Sequence, residues 1–295
     1  VVLDLATASA NLIPREMVDA LLGQARRQSV VLSLGNVRRM SSGLASIPIV
    51  SFLPVAGFVN PTYGGRKPAT KIEWGVSQVT AEEIAAVAAI PNAFVDDAGF
   101  PIWDEVRDAF ATAIAKTLDA AVLFGTGAPA SFPTGGIAGL AGAAQTGADA
   151  LEAIDAAAAQ VEASGAVPDG IAASSAIGSA LRGYLRTTLA PAGEAPGNNI
   201  YGWPVVVSPV WDATKGDALV GDWTYLLVGL RQDITFDRSD AAVLQDGTGA
   251  IIANAFQDDL TAFRMYIRVG VAIGRPLDPT TGVAIAPFEF ADWTA

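Results

Sequence analysis

The sequence predicts an α+β fold, and three observations carry that expectation. The segment PIWDEVRDAFATAIAKTLDAAVLF (101–124) repeats apolar residues at i+4 over a length unusual for a globular helix. Past residue 200, strand-like runs follow one another closely: WPVVVSPV, ALVGDWTYLLVGL, DITFDRSD and TAFRMYIRVGVAIG. Helical and extended patterns intermix without the strict alternation of a βαβ protein, and no repeat of solenoid size is evident.

The first segment is expected to be an extended arm followed by a helix, with Asn11 as cap, Pro14 in the first turn, and Met17, Leu21 and Leu22 at helical spacing to about Arg27. From Ile47 the pattern turns extended: IPIVSFLPVAGFV, a turn-rich tip NPTYGGRKPAT, then KIEWGVSQVT. This is a long hairpin, and Pro48, Pro54 and Pro61 confine it to edge-like, solvent-facing geometry. AEEIAAVAAIPNAF follows as a polar-to-apolar segment. In the long helix, Pro101 suits the first turn, Asp104 and Glu105 lie where the helix dipole favours anions, and Gly125 is the natural stop. Val106, Phe110, Ile114, Leu118 and Val122 form its apolar stripe. About 23 residues at roughly 1.5 Å each make a spine of about 34 Å. The Gly-rich passage 125–147 is read as turns, ADALEAIDAAAAQVEASG as a helix with Leu151, Ile154, Ala158 and Val161 on one face, VPDGIAAS as a short buried strand, and AIGSALRGYLRT as a further helix.

Composition excludes more than any motif includes. The 295 residues suffice for one large domain or two ordinary ones, and a 51% hydrophobic content supplies a sizeable core. With no Cys and no His, thiol nucleophiles, Ser-His-Asp triads, structural zinc and imidazole catalysis are unavailable. A net charge of −12 argues against affinity for nucleic acid. The longest apolar candidate, IAAVAAIPNAFV (84–95), is broken by Pro91 and Asn92 and is too short to cross a bilayer, so no membrane partner is expected. VVLDLATASA lacks the basic region and apolar core of a secretory signal.

No catalytic constellation, cofactor or metal site is expected. A phosphate loop needs a strand, GxxxxGK followed by Ser or Thr, and then a helix. Here the Gly-Thr-Gly at 125–127 ends a helix, and Gly65 precedes Arg66, Lys67 and Pro68. The carboxylate pairs Glu82-Glu83, Asp96-Asp97, Asp104-Glu105 and Asp258-Asp259 are read as caps and solvated faces.

The positive clue is the hairpin tip, FVNPTYGGRKPATKIEW (58–74), where Arg66, Lys67 and Lys71 gather in an acidic chain. A two-stranded ribbon is marginal alone in water, and one bearing Phe52, Phe58, Tyr63 and Trp74 exposes apolar surface unless something covers it. Association with copies of the same chain supplies that cover.

In this order the residues resemble the major capsid proteins of tailed bacteriophages, whose shell fold is shared with encapsulin nanocompartments and the floor of the herpesvirus capsid. The resemblance runs through an arm, the hairpin loop, the spine ending in DAAVLFGTG (119–127), the Gly-rich passage, GIAAS, ALRGYL, YGWPVVVSPV (201–210), LVGDWTYLLVGLRQDITFDRSD (219–240) and FRMYIRVGVAIGRPLD (263–278). It implies an N-terminal arm and helix (1–45) and an extended loop (46–78) lying over a neighbouring subunit. It further implies a peripheral domain (79–128 and 254–276) with spine helix 101–124, and an axial domain of mixed sheet and helices (129–253 and 277–295). Function is then structural: pentamers and hexamers of the chain close into an icosahedral shell around double-stranded DNA that is not bound specifically. Portal, scaffolding and decoration proteins are the implied partners, and the virion capsid, assembled in the host cytoplasm, the implied location.

Inter-subunit contacts are expected at Arg66, Lys67, Lys71, Tyr63 and Trp74 of the loop, with the acidic spine start (Asp104, Glu105, Asp108) as the facing surface. Some members begin with a cleaved scaffolding segment; nothing like it precedes Val1, so its removal or a separate scaffolding protein is expected. Some members crosslink a loop lysine to a neighbour's asparagine, but no partner asparagine or catalytic glutamate aligns with Lys67 or Lys71, and no crosslink is expected. Two other readings stay open on the residues alone: an encapsulin-type compartment, and a soluble α+β enzyme using carboxylates.

Overall fold

The computed structural model describes residues 29–50, 74–93, 102–181, 199–275 and 286–293, the side chains of 47–50, 74–77, 102–105 and 232–233 excepted. A short helix, α1 (Val30–Leu34), opens the described chain. The helix expected up to Arg27 lies outside the described residues.

The spine is α2 (Ile102–Phe124), and its i+4 stripe is the buried one: Phe110, Ile114, Leu118 and Val122 are all in the core. Gly125 ends it with φ +71°, its amide donating to the Ala121 carbonyl at 3.0 Å in an αL cap. The Gly-rich passage then folds back on the helix end, where the amides of Ile137 and Ala138 donate to the carbonyls of Val122 and Leu123 at 2.8 Å each. Carbonyls that a helix end would otherwise leave unpaired are thereby satisfied. Gly136 permits this approach, because a Cβ there would collide with the Val122 carbonyl oxygen.

Two sheets share the core with α2. In the first, β10 (Leu226–Ser239) and β13 (Leu260–Ile273) form the antiparallel centre, flanked by β1 (Asn36–Arg39), parallel to β10, and by β4 (Glu82–Pro91), antiparallel to β13. β13 alternates as a half-buried strand should: Phe263, Met265, Ile267 and Val269 face the core, and Arg264 and Arg268 face water. Phe236 stacks on Phe263 at 5.5 Å and meets Phe110 of α2 edge-on at 6.4 Å. β4 is the Ala-rich segment read from sequence only as polar-to-apolar, and pairing with β13 along its whole length makes it a strand.

The second sheet has six short strands in the order β5 (Gln145–Thr146), β14 (Phe288–Asp292), β9 (Ala218–Gly221), β6 (Gly170–Ala173), β8 (Trp203–Val207) and β7 (Asn199–Ile200). α3 (Ala150–Ala163) packs Ala153, Ile154, Ala157 and Ala158 into a cluster with Ile171, Val220 and Ala291 of this sheet. Asp149 caps it, accepting from the amides of Leu151 and Glu152 at 3.0 Å, while the Glu152 carboxylate reaches back to the Ala148 amide at 2.9 Å. Leu219, Phe288 and Phe290 of the second sheet belong to the same core as α2 and the first sheet.

The expected boundary near residue 253 does not follow sheet membership. β9 pairs with β6 and β14, whereas β10 pairs with β13. The chain crosses between sheets at the 3₁₀ turn Trp223–Tyr225, where the capping Asp222 carboxylate accepts from the Thr224 amide at 3.1 Å. β2 (Leu44–Val50) and β3 (Trp74–Thr80) pair antiparallel, Leu44 with Thr80 through Val50 with Trp74, forming the root of the long loop.

Candidate assembly surfaces

The loop tip, with Tyr63, Arg66, Lys67 and Lys71, lies outside the described residues. Trp74 is the first residue of β3, opposite Val50. Asp104 and Glu105 lie in the first turns of α2. Asp108, one turn further on, is half-exposed, with Oδ1 3.8 Å from Nε of Arg107 on the same helix. All three acids lie in the first two turns of α2, and the cations expected to face them are not among the described residues.

The outer face of the first sheet is crossed by ion pairs. Arg264 donates to Asp237 at 2.7 Å and lies 5.1 Å over the Tyr266 ring, and Arg268 lies 3.5 Å from Glu83. All four charged side chains are about half-exposed, so each pair contributes little, about 0 to 1 kcal/mol.

At the distal end of that sheet, β11 (Val243–Gln245) and β12 (Ile251–Asn254) form a small hairpin around an Asp246 turn. Asp246 Oδ1 accepts from the Thr248 amide at 2.8 Å, the Thr248 hydroxyl at 2.6 Å and the Ala250 amide at 2.9 Å, so the turn is built. Its apolar side chains are nevertheless open to water: Ile251 68%, Ile252 67% and Phe256 85% exposed. A groove of about 1110 Å³ lies beside it, lined by Val87, Phe236, Val243, Leu244, Arg238 and Arg264. Sequence reasoning passed over this hairpin, although DGTG between VLQ and IIAN is a hairpin signal.

Sequence reasoning also missed Asp119. It is fully buried on α2 and ties three distant segments. Its Oδ1 accepts from the Ser29 hydroxyl at 2.6 Å and the Val31 amide at 3.2 Å, and its Oδ2 accepts from the Val30 amide at 3.0 Å and the Ser208 hydroxyl at 3.5 Å. Burial pushes its pKa up to about 6, against the pull of those hydrogen bonds. Glu289 and Asp169 are also raised, chiefly by burial; Glu289 accepts from the Gly142 amide at 3.3 Å and Asp169 from the Trp223 amide at 2.7 Å. These carboxylates cross-tie the backbone of their own surroundings.

A spine sharing one core with two sheets, the paired root of the 46–78 segment and an apolar end left open describe a structural subunit shaped to meet others. The sequence matches the model of the Phage capsid family over residues 9–277, and the chain belongs to that family. It is a structural major capsid protein. A solved structure from Mycobacterium phage Cain is similar at 27% identity, covering 95% of this chain and 98% of that one, with a TM-score of 0.74. One from Microbacterium phage Oxtober96 is similar at 27% identity, covering 90% and 91%, with a TM-score of 0.73. The capsid of the native GTA particle shares the fold at 18% identity, covering 91% and 90%, with a TM-score of 0.60. No curated protein matches the chain. Neither the encapsulin nor the enzyme reading is favoured by these similarities.

Proposed function

We propose that copies of the chain associate as pentamers and hexamers and close into an icosahedral shell around double-stranded DNA, with portal, scaffolding and decoration proteins as partners and assembly in the host cytoplasm. The observation that carries the reading is the apolar end of the first sheet, where Ile251, Ile252 and Phe256 stand 68%, 67% and 85% exposed within six residues of chain. The acidic net charge of −12 fits a wall that encloses DNA without adhering to it. The peripheral unit is 79–128 with 254–276, built on α2, and the axial unit 129–253 with 277–295, with β10 (Leu226–Ser239) lent to the first sheet through its pairing with β13. The 46–78 loop, rooted in β2 and β3, lies over the neighbouring subunit, where Arg66, Lys67 and Lys71 meet the acids of its spine start and Tyr63 and Trp74 add apolar contact.

Cryo-electron microscopy of the particle tests this reading. Closed icosahedral shells with pentameric and hexameric clusters and internal DNA are the expected result. A shell filled with an enzyme in place of DNA would move the reading to a compartment, and a stable active monomer would overturn it.

A further inference from the structure

We propose that Asp119 is a latch: it fastens the entry of the N-terminal chain, Ser29–Val31, to the spine and to the turn at Ser208, and its protonation state governs how readily that entry opens. The geometry is that of a single carboxylate joined to three segments. Ser29, Val30 and Val31 arrive from the start of the chain, Asp119 sits late in α2, and Ser208 follows β8 in the second sheet; all five residues are buried. Asp119 thus fixes the start of the described chain alongside the core burial of Val30, Val31 and Leu32. The latch is a property of the single chain and does not rest on the shell reading.

Among the described residues, every partner of the carboxylate is uncharged. α1 (VVLSL) and β8 (WPVVV) contain no ionisable residue. On α2 the nearest is the exposed Lys116, and beyond α1 the nearest are the exposed Arg38 and Arg39 of β1. Past Ser208 the first is Asp212, which is engaged with the Thr214 hydroxyl at 2.7 Å. Among the described residues no cation offsets the ionised form, so burial dominates and the closed latch holds its proton up to a pH of about 6.

On opening, water reaches the carboxylate and its pKa returns towards 3.8. Opening therefore releases a proton between those two values. The stabilisation of the closed state is complete below about pH 3.8 and is lost as pH rises through about 6. The latch tightens in acid and loosens towards neutrality, the reverse of an acid-triggered release. In its neutral form the carboxyl keeps an accepting oxygen for the chain entry, and its hydroxyl has Ser208 Oγ, 3.5 Å away, as acceptor.

Hydrogen–deuterium exchange on the full chain tests the latch, with rates corrected for intrinsic exchange and for global opening measured at Ala218–Gly221. The opening constant of Ser29–Leu34 is expected to rise about tenfold between pH 5 and pH 8, levelling above about pH 7. A flat profile overturns the proposal. Asp119→Asn is expected to remove the pH dependence, and a persisting rise in that variant overturns it. Where Asp119→Asn does not fold, Ser29→Ala serves instead. Loss of a hydroxyl that favours the ionised carboxylate moves the midpoint upward, and an unmoved midpoint assigns the titration elsewhere and overturns the latch.

Discussion

Ser29 and Asp119 stand 90 residues apart in the chain and meet at 2.6 Å in the interior, both fully buried. A buried carboxylate is tolerated because hydroxyls and amides converge on it, yet its charged form still loses more on leaving water than they return, as its raised pKa records. The global consequence has a definite sign. In denaturant titrations, the cost of Asp119→Asn relative to the parent chain should be smaller by about 2 kcal/mol at pH 7.5 than at pH 4.5, because the contribution of the Asp119 carboxyl is lost across that window in the parent alone. Equal costs at both pH values would contradict the linkage.

Two glycines of the passage after the spine should differ in tolerance. Gly127 has φ +68° and open space around its Cβ position, so Gly127→Ala should cost only the left-handed conformation, about 1 kcal/mol. Gly136 has φ +61° and faces the Val122 carbonyl, so Gly136→Ala should cost more, about 2–4 kcal/mol. Denaturant midpoints of the two variants provide the comparison.

Phe256 projects from a turn in which its amide donates to the Asn254 side chain at 3.2 Å and the Asp258 carboxylate accepts from the Asn254 amide at 2.8 Å. The turn is held without the ring, and Phe256→Asp should leave subunit stability within about 0.5 kcal/mol. Shell yield, read by sedimentation and negative-stain microscopy, should fall sharply. Normal shells would remove this side chain from the interface.

Arg66→Glu with Lys67→Glu reverses charge at the loop tip. Each exposed pair contributes about 0 to 1 kcal/mol, but a closed shell repeats it in every subunit, so assembly should weaken while circular dichroism of the subunit stays unchanged. Normal assembly at both low and high salt would exclude the electrostatic contact.

Local signals were the legible ones. The i+4 stripe of α2 with Gly125 as its stop, and the face of α3 with Asp149 before it, depend on residues a few positions apart, and the structure has these helices at Ile102–Phe124 and Ala150–Ala163. β4 was not legible, because EEIAAVAAIP carries no clean period and is a strand only through β13. Asp119 left one trace, a carboxylate beside the buried stripe of Leu118 and Val122, and its partners at Ser29–Val31 and Ser208 are too remote in sequence to be paired by spacing.

By itself, the sequence determined the α+β class, the spine and its ends, the antiparallel root of the long hairpin and, through the order of its motifs, the resemblance to phage capsid proteins. These rest on short-range patterns and on composition, which excluded imidazole and thiol chemistry outright. Tertiary structure decided which strands share a sheet, placed the crossing at Trp223–Tyr225, left Ile251, Ile252 and Phe256 in the open, and brought Asp119 to Ser29. The reason is physical: burial and hydrogen-bond partnership are properties of surfaces assembled from distant segments, and no local window of sequence contains both sides of such a contact.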